Sequence, residues 1–383
     1  MGVHDVTISS ECVLLIGGDT YPGHFEELFA RGDIKPIFGD LLQELRSADL
    51  TIVNIECPLT DCDVPIKKNG PCLRAHPNCV KGLSEAGIDA VTLANNHIGD
   101  YGGTGVEQTL DALKEAGVRS FGAGKGVREA GQVAVFELGG LRLGLLGMAE
   151  NEFSVAGSES WGANPIDLIQ HVRLLSELRA SSQPLDHLVI LLHGGNELYP
   201  YPSPWLQRLC RFLIEQGATA VICQHSHVAG TYELYDGGLI VYGQGDFVFG
   251  YDTRSHGREG FLVKLALSNH PKLMRFELVP YLRIDRGVRR MMAGEQSRFE
   301  QDIGTRNKVL ESKDLLHEYW RTFAISQQHR YLSSLMGQSR VVRSLVHRLR
   351  LSDQWYRRYD VCGSLNYIRC ESHREALVTL LEM

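Results

Sequence analysis

Long apolar runs are missing from this 383-residue chain: no stretch of about 18 apolar residues occurs, so no membrane-spanning helix is expected. The opening stretch MGVHDVTISSECVLLIGGDTYPG has no basic leader and no cleavage site. Its apolar part, Val13–Ile16, is only strand-sized, which argues against a signal peptide. Position six is Val, and Ser/Thr is missing at the place N-myristoylation of Met1-Gly2 requires. These absences predict a cytoplasmic protein, with peripheral contact to a membrane surface the one membrane role left open. Excess positive charge is missing too: the formal net charge is -7, which speaks against nucleic acid as a partner. Matched thiol pairs are also missing. Of nine cysteines, Cys57, Cys62, Cys72 and Cys79 share one loop-rich stretch, but their gaps do not fit a zinc finger. Without an export signal, free thiols are expected. Low-complexity tracts and internal repeats are absent.

What is present is an ordinary globular composition, 43% apolar and 22% charged, enough for one large α/β domain and a smaller appendage. Short apolar runs alternate with amphipathic stretches. Strands are predicted at Val13–Ile16, Leu50–Ile55, Ala90–Leu93, His187–Leu192 and Ala220–Cys223, and helices at Ile37–Arg46, Asn78–Ala86, Gly105–Ala116, Ile166–Leu178 and Trp205–Gln216. Gly139-Gly140 and Gly237-Gly238 each separate two apolar runs, the signature of a β-hairpin. Phe261–Leu267 and Arg275–Tyr281 read as closing strands. Alternation implies parallel pairing and hairpins imply antiparallel pairing, so a mixed-sheet α/β domain is expected over residues 1–286. Residues 287–383 turn rich in Arg, Gln, Leu and Ser. They read as a helical C-terminal region, with helices at Asp314–Ile325, Leu332–Leu351 and Glu371–Glu382. The basic run Arg340, Arg343, Arg348 and Arg350 reads as a solvated helix face.

The strand ends carry the chemistry. Asp19 follows Gly17-Gly18; Asn54 and Glu56 close the second long strand; Asn95, Asn96 and His97 follow the third, with Asp100 three residues on. His193 ends a fourth strand, and His225 and His227 follow a fifth. In open α/β sheets, sites form at the carboxyl ends of strands. Carboxylate, amide oxygen and imidazole together suit Zn, Mn or Fe(II). Two such ions roughly 3.5–4 Å apart activate a water and stabilise attacking and leaving oxygens, with Asp19 or Glu56 available as a bridge. His97, beside Asn96, is the candidate proton donor, and Asp100 joins it as a catalytic candidate. Each piece alone has a plainer reading: Asp after Gly-Gly as a turn, Asn-Asn-His as a helix cap. Their joint order is what points to a metal centre. Lys67, Lys68 and Arg74 in the loop Pro65–His76 suggest a cationic lid, with Lys68 and Arg74 as substrate contacts and Asn54 and Asn95 beside them. Tyr21, Tyr199 and Tyr201 read as packing residues near the cleft, and Glu197 as an orienter of His193 or an exposed charge.

From Val13 to Leu267 the segments GGDTYPG, TIVNIECPLT, KKNGPCLRAHP, GIDAVTLANNHIGDYG, GVRSFGAG, VILLHGGNE, AVICQHSHV and VYGQGDFVFG resemble the CapA family of bacterial capsule and poly-γ-glutamate proteins. That family is a branch of the calcineurin-like metallophosphoesterase superfamily. The resemblance implies a metallophosphoesterase-like two-sheet sandwich flanked by helices. It implies one divalent ion on Asp19, Glu56 and His227, a second on Glu56, Asn96, His193 and His225, with Glu56 bridging, and His97 as acid. Tyr21 stands where the superfamily has a metal-binding His, which leaves the Asp19 site one ligand short. Asp246 stands where the family commonly has Asn. The implied activity is a metal-dependent hydrolase acting on an amide bond of a γ-glutamyl or related cell-surface polymer. A dinuclear phosphoesterase and a non-catalytic accessory protein of capsule assembly are the alternatives. The implied partners are a carboxylate-rich or phosphorylated polymer and capsule-assembly proteins.

Overall fold

A computed structural model describes residues 11–250, 257–269, 272–327, 331 and 361–382. The expected helix Leu332–Leu351, its arginine run and the first ten residues lie outside the described residues. Two sheets pack face to face. The first has the strand order Gly287–Arg290, Lys272–Ile284, Glu259–Asn269, Cys12–Thr20, Leu50–Ile55, Ala90–Thr92, Arg119–Phe121, with Asp246–Val248 beside the far end of Cys12–Thr20. The second runs Tyr232–Tyr235, Gly238–Val241, Ala220–Gln224, His187–His193, Leu141–Ala149, Ala134–Leu138. Strands joined by helices pair in parallel, and both Gly-Gly hairpins pair antiparallel. The expected mixed-sheet, two-sheet sandwich flanked by helices is therefore what forms.

Period-two alternation sorts the side chains into layers. Leu14, Ile16 and Ile52 face the inter-sheet core with Leu143, Leu145, Val189, Leu191 and Ile222. Their neighbours Leu15, Val53 and Val91 face outward onto Phe29, Phe38, Leu83 and Leu113 of the helical layer. On the far side, Leu188, Ile190 and Leu192 meet Leu206, Leu209 and Leu213 of the helix Pro204–Glu215. The central strands are covered on both faces, so they read as continuous apolar runs. The ionisable and amide residues of these strands collect near their ends.

Two differences from the sequence reading have a common cause. The expected helix Ile37–Arg46 is broken into Lys35–Phe38, a 3-10 turn Gly39–Leu41 and Leu42–Ser47. Gly39 has φ +52, and a Cβ there would lie 2.9 Å from the Val288 carbonyl oxygen. The strand Gly287–Arg290 docks against this break and pairs with Lys272–Ile284, so the first sheet runs four residues past position 286. Helices Ala293–Asn307, Lys313–Ser326, Val361–Arg369 and Glu371–Glu382 follow. Phe299 and Ile303 of the first of these join the inter-sheet core. The last three gather Trp320, Tyr367, Ala376 and Leu377 around Tyr199, together with Tyr331. Among the described residues no helix is long and apolar enough to cross a membrane.

Candidate metal centre

The strand ends converge at one edge of the sandwich. Asp19 sits in register with Asn54 on one side and Asp246 on the other. Gly18, just before it, lets the chain carrying Gly245 approach: a Cβ at Gly18 would fall 2.3 Å from the Gly245 carbonyl oxygen. Asp19 Oδ1 accepts a hydrogen bond from Asn54 Nδ2 at 2.7 Å, and Oδ2 accepts the backbone N–H of His225 at 2.9 Å. Asn95 Nδ2 donates to Asn54 Oδ1 at 3.0 Å and to the Ile55 carbonyl at 2.8 Å. Asn95 Oδ1 caps the next turn by accepting from the N–H groups of His97 and Ile98. Asn54 and Asn95 are fully buried and spend their amides on this scaffolding, so neither presents a surface to a substrate.

Above this layer, three groups of side chains each bring their ligand atoms within 4.8 Å: Asp19, Glu56 and His193; Glu56, His225 and His227; and Asp19, His227 and Asp246. Asn96 Oδ1 lies 3.0 Å from His193 Nε2. Glu56 belongs to two of the groups, the position a bridging ligand needs. His193 sits with Asp19 and Glu56, and His225 with Glu56 and His227, while His227 Nδ1 also lies 3.8 Å from Asp19 Oδ2. Asp246, whose role the sequence left open, lies inside the cluster. It binds His227 Nδ1 at 2.6 Å through one oxygen and the nearly buried Arg283 at 2.7 Å through the other.

Burial raises the Asp19 carboxyl to about 6, and the neighbouring Asp246 charge adds to the rise while His227 opposes it. Burial, then Asp19, push Glu56 well above the usual carboxylate range. Burial and the facing imidazoles of His225, His227 and His97 hold His193 well below the ordinary histidine value. At His227 burial pulls down, but Asp246, Glu56 and Asp19 together outweigh it and raise the imidazole. The cluster is thus short of positive charge. Glu56 shows it most directly. It is fully buried, and neither carboxylate oxygen accepts a hydrogen bond from any described residue; His193 Nε2 stands off at 3.4 Å. An ionised carboxylate left unpaired inside a protein costs several kcal/mol. A divalent cation among these carboxylate, amide and imidazole donors removes that cost, so the residues present fit a metal.

Backbone strain falls on the same residues. His225 has φ +94 and His227 φ +57, in the left-handed region that a side chain makes unfavourable. Such strain concentrates at functional sites and is held by its surroundings, here by the Asp19 bond to the His225 N–H. Replacing His225 by Gly is expected to give a protein about 1 kcal/mol more stable than replacing it by Ala, although both remove the imidazole. Urea denaturation of the two variants checks this; an Ala variant at least as stable as the Gly variant would refute the strain.

Beside the cluster, His97 Nδ1 lies 2.7 Å from Asp100 Oδ2 and 3.1 Å from Lys68 Nζ. Lys68 also donates to Asp100 Oδ1 at 2.5 Å, and its side chain is only 4% exposed. Asp100 further accepts the N–H of Leu73 at 2.7 Å, while its carbonyl takes the N–H of Ile66. The loop Pro65–His76, expected as a cationic lid, is therefore pinned to Asp100 on both limbs. Lys68 points inward to His97, while Lys67 is exposed. Arg74 turns away, bonding the carbonyls of Asp61 and Cys62 and lying over the Tyr101 ring. Tyr199 and Tyr201 pack against Phe323 and Tyr319, and Tyr21 against His24 and Phe249. Glu197 is exposed. Arg283 and Glu152 went unnoticed in the sequence. Glu152 had a signal to give: with Glu150 and Asn151 it follows the strand Leu141–Ala149, one more strand end loaded with polar residues.

Fold and site together define the class: an α/β two-sheet sandwich with buried carboxylate–histidine groups of metal-ligand type at its strand ends. The family model described as bacterial capsule synthesis protein PGA_cap matches residues 13–251, well over half of the chain, and the chain belongs to that family. A capsule biosynthesis protein CapA of Bacillus anthracis is 30% identical over 244 residues, covering 61% of this chain and 58% of that protein. A PGA biosynthesis protein CapA of Bacillus subtilis strain 168 is 27% identical over 257 residues, covering 64% and 63%. The chain thus spans about three-fifths of the length of these curated relatives. Among solved structures, TT1561 of Thermus thermophilus aligns with 70% of this chain and 99% of that one, at 12% identity and a TM-score of 0.39.

Proposed function

We propose that this protein is a metal-dependent hydrolase that acts on an amide bond of a γ-glutamyl or related cell-surface polymer. The observation that carries the metal dependence is Glu56: a fully buried carboxylate with no hydrogen-bond donor among the described residues, shared by two ligand-type groups. The residues that would hold two divalent ions (Mn, Zn or Fe) are Asp19, Glu56, Asn96, His193, His225 and His227, with Asp246 now beside them. Ions bound there supply Lewis-acid polarisation of the scissile group and water activation near neutral pH. The chain's own residues do the rest. Asp100 holds His97 through Nδ1, which leaves Nε2 to exchange a proton with the substrate. Lys68 fixes Asp100 and through it the ring. Burial of the cluster keeps bulk water from competing for the donors. The amide substrate is supported by the family's tie to capsule and poly-glutamate synthesis and by the exposed Lys67 at the loop edge, a point charge suited to a carboxylate polymer.

The test loads purified protein with Mn(II) or Zn(II), measures metal by elemental analysis, and assays γ-glutamyl polymers and p-nitrophenyl phosphoesters in wild type and His193→Ala. Polymer cleavage lost in the variant is the expected result. Phosphoester turnover alone would move the protein to a phosphoesterase. Full metal content with no turnover of either substrate would make it a non-catalytic component of polymer assembly.

A further inference from the structure

The family match ends at residue 251, yet the C-terminal helix Glu371–Glu382 and the residue before it reach the loop that borders the metal centre. Glu150, Asn151 and Glu152, the three residues after the strand Leu141–Ala149, each engage residues 370–373. Glu150 accepts from Ser372 Oγ at 2.5 Å and from Cys370 Sγ at 3.0 Å, and it also takes the N–H of Gly195, two residues past His193. Asn151 donates its backbone N–H and its amide to the Glu371 carboxylate at 2.9 and 2.7 Å. Glu152 Oε1 lies 3.7 Å from His373 Nε2, and His373 Nδ1 is in turn bonded to Tyr331 Oη at 3.0 Å.

Glu152 has a second contact. Its Oε2 accepts a hydrogen bond from Asn96 Nδ2 at 3.3 Å, while Asn96 Oδ1 faces His193. An amide side chain has two ends of nearly equal shape and opposite chemistry: the oxygen is a metal ligand, and the NH2 group is a donor that repels a cation. Nothing in the backbone of Asn96 chooses between them. An ionised carboxylate accepts only, so Glu152 binds the NH2 end and turns the oxygen towards the cluster. We propose that Glu152 is a positioning residue that sets which atom Asn96 presents to the metal, and that His373 of the C-terminal helix holds Glu152 in place. The inference rests on the metal reading above, with Asn96 as a ligand. It makes the C-terminal helix, outside the family match, a working part of the centre.

A double-mutant cycle on the full chain, read by isothermal titration with Mn(II), tests it. Loss of an outer partner to a metal ligand typically costs 10–100-fold in affinity, so Glu152→Ala is expected to weaken Mn(II) binding by about that factor, and His373→Ala by less. Glu152→Gln keeps an acceptor oxygen and should retain most of the affinity. Asn96→Asp carries two equivalent oxygens and needs no orienting. In that background Glu152→Ala should cost nothing, and removing the adjacent like charge should leave affinity equal or higher. A purely structural role for Glu152 predicts the same loss in both backgrounds, and that result would overturn the proposal. So would unchanged affinity in the single Glu152→Ala variant. If wild type takes up no divalent ion at all, the metal reading itself fails and the inference falls with it. Circular dichroism melts of each variant separate lost binding from lost fold.

Discussion

Replacing Glu56 by Gln is expected to do two opposite things: abolish high-affinity divalent-metal uptake and raise the melting temperature of the metal-free protein. Gln keeps the shape of Glu and cannot ionise. Glu56 is fully buried with no hydrogen-bond donor to either oxygen among the described residues, and it faces the carboxylates of Asp19 and Asp246. In metal-free protein that arrangement disfavours the ionised carboxylate and pushes Glu56 towards its protonated form, a cost to folding at neutral pH that Gln does not carry. A gain of about 1 kcal/mol moves the melting point of a domain this large by roughly 1–2 °C. Bound metal reverses the comparison, because ligand at a hundredfold excess over its Kd stabilises by about 2.7 kcal/mol. Scanning calorimetry with EDTA and with Mn(II) should therefore show wild type gaining strongly from metal and Glu56→Gln gaining nothing from a higher starting point. A variant that loses stability in EDTA yet keeps its response to Mn(II) would mean that Glu56 is a structural residue and not a ligand.

The second large effect concerns His97. Its side chain is 12% exposed, the most accessible of the His97, Asp100 and Lys68 set, and its Nδ1 is tied to Asp100. Burial lowers its pKa, the Asp100 bond opposes that, and Lys68 adds to the lowering. His97→Asn should leave metal content unchanged and reduce kcat on the substrate that wild type turns over by about 10²–10⁴-fold, the usual contribution of a positioned proton carrier. Lys68→Met should behave differently. It strips the cation from the fully buried Asp100, and breaking a buried ion pair costs about 3–5 kcal/mol, so this variant loses fold stability together with turnover. Elemental analysis, steady-state kinetics and thermal melts on the two variants separate the roles. Loss of metal in His97→Asn would instead make His97 part of the ligand set.

The array of Asp19, Glu56, Asn96, His193, His225 and His227 was legible in the chain because the signal is local. Strands covered on both faces read as apolar runs, and the ionisable and amide residues of these strands gather near their ends. Once parallel pairing is inferred, the ends of successive strands fall on one edge. The hairpins were legible for the same reason, since Gly-Gly between two apolar runs needs no knowledge of distant residues.

What local pattern does not carry is who meets whom across the fold. Arg283 reaches Asp246 from a strand that the sequence offered only as a closing edge. Glu371 bonds Asn151 across 220 residues of chain. Gly39 breaks a helix because the edge strand containing Val288 docks against it. Arg74 and Lys68 look alike in the loop between Pro65 and His76. Tertiary contacts send one to backbone carbonyls at the surface and bury the other against Asp100. A short polar side chain can point either way at no cost to its own backbone, so its direction is settled by the partners that packing delivers. The sequence by itself determined the strand-end polar residues and their order; the tertiary structure alone decided which of them lie within reach of one another, which distant residues contact them, and that the C-terminal helix reaches the loop beside them.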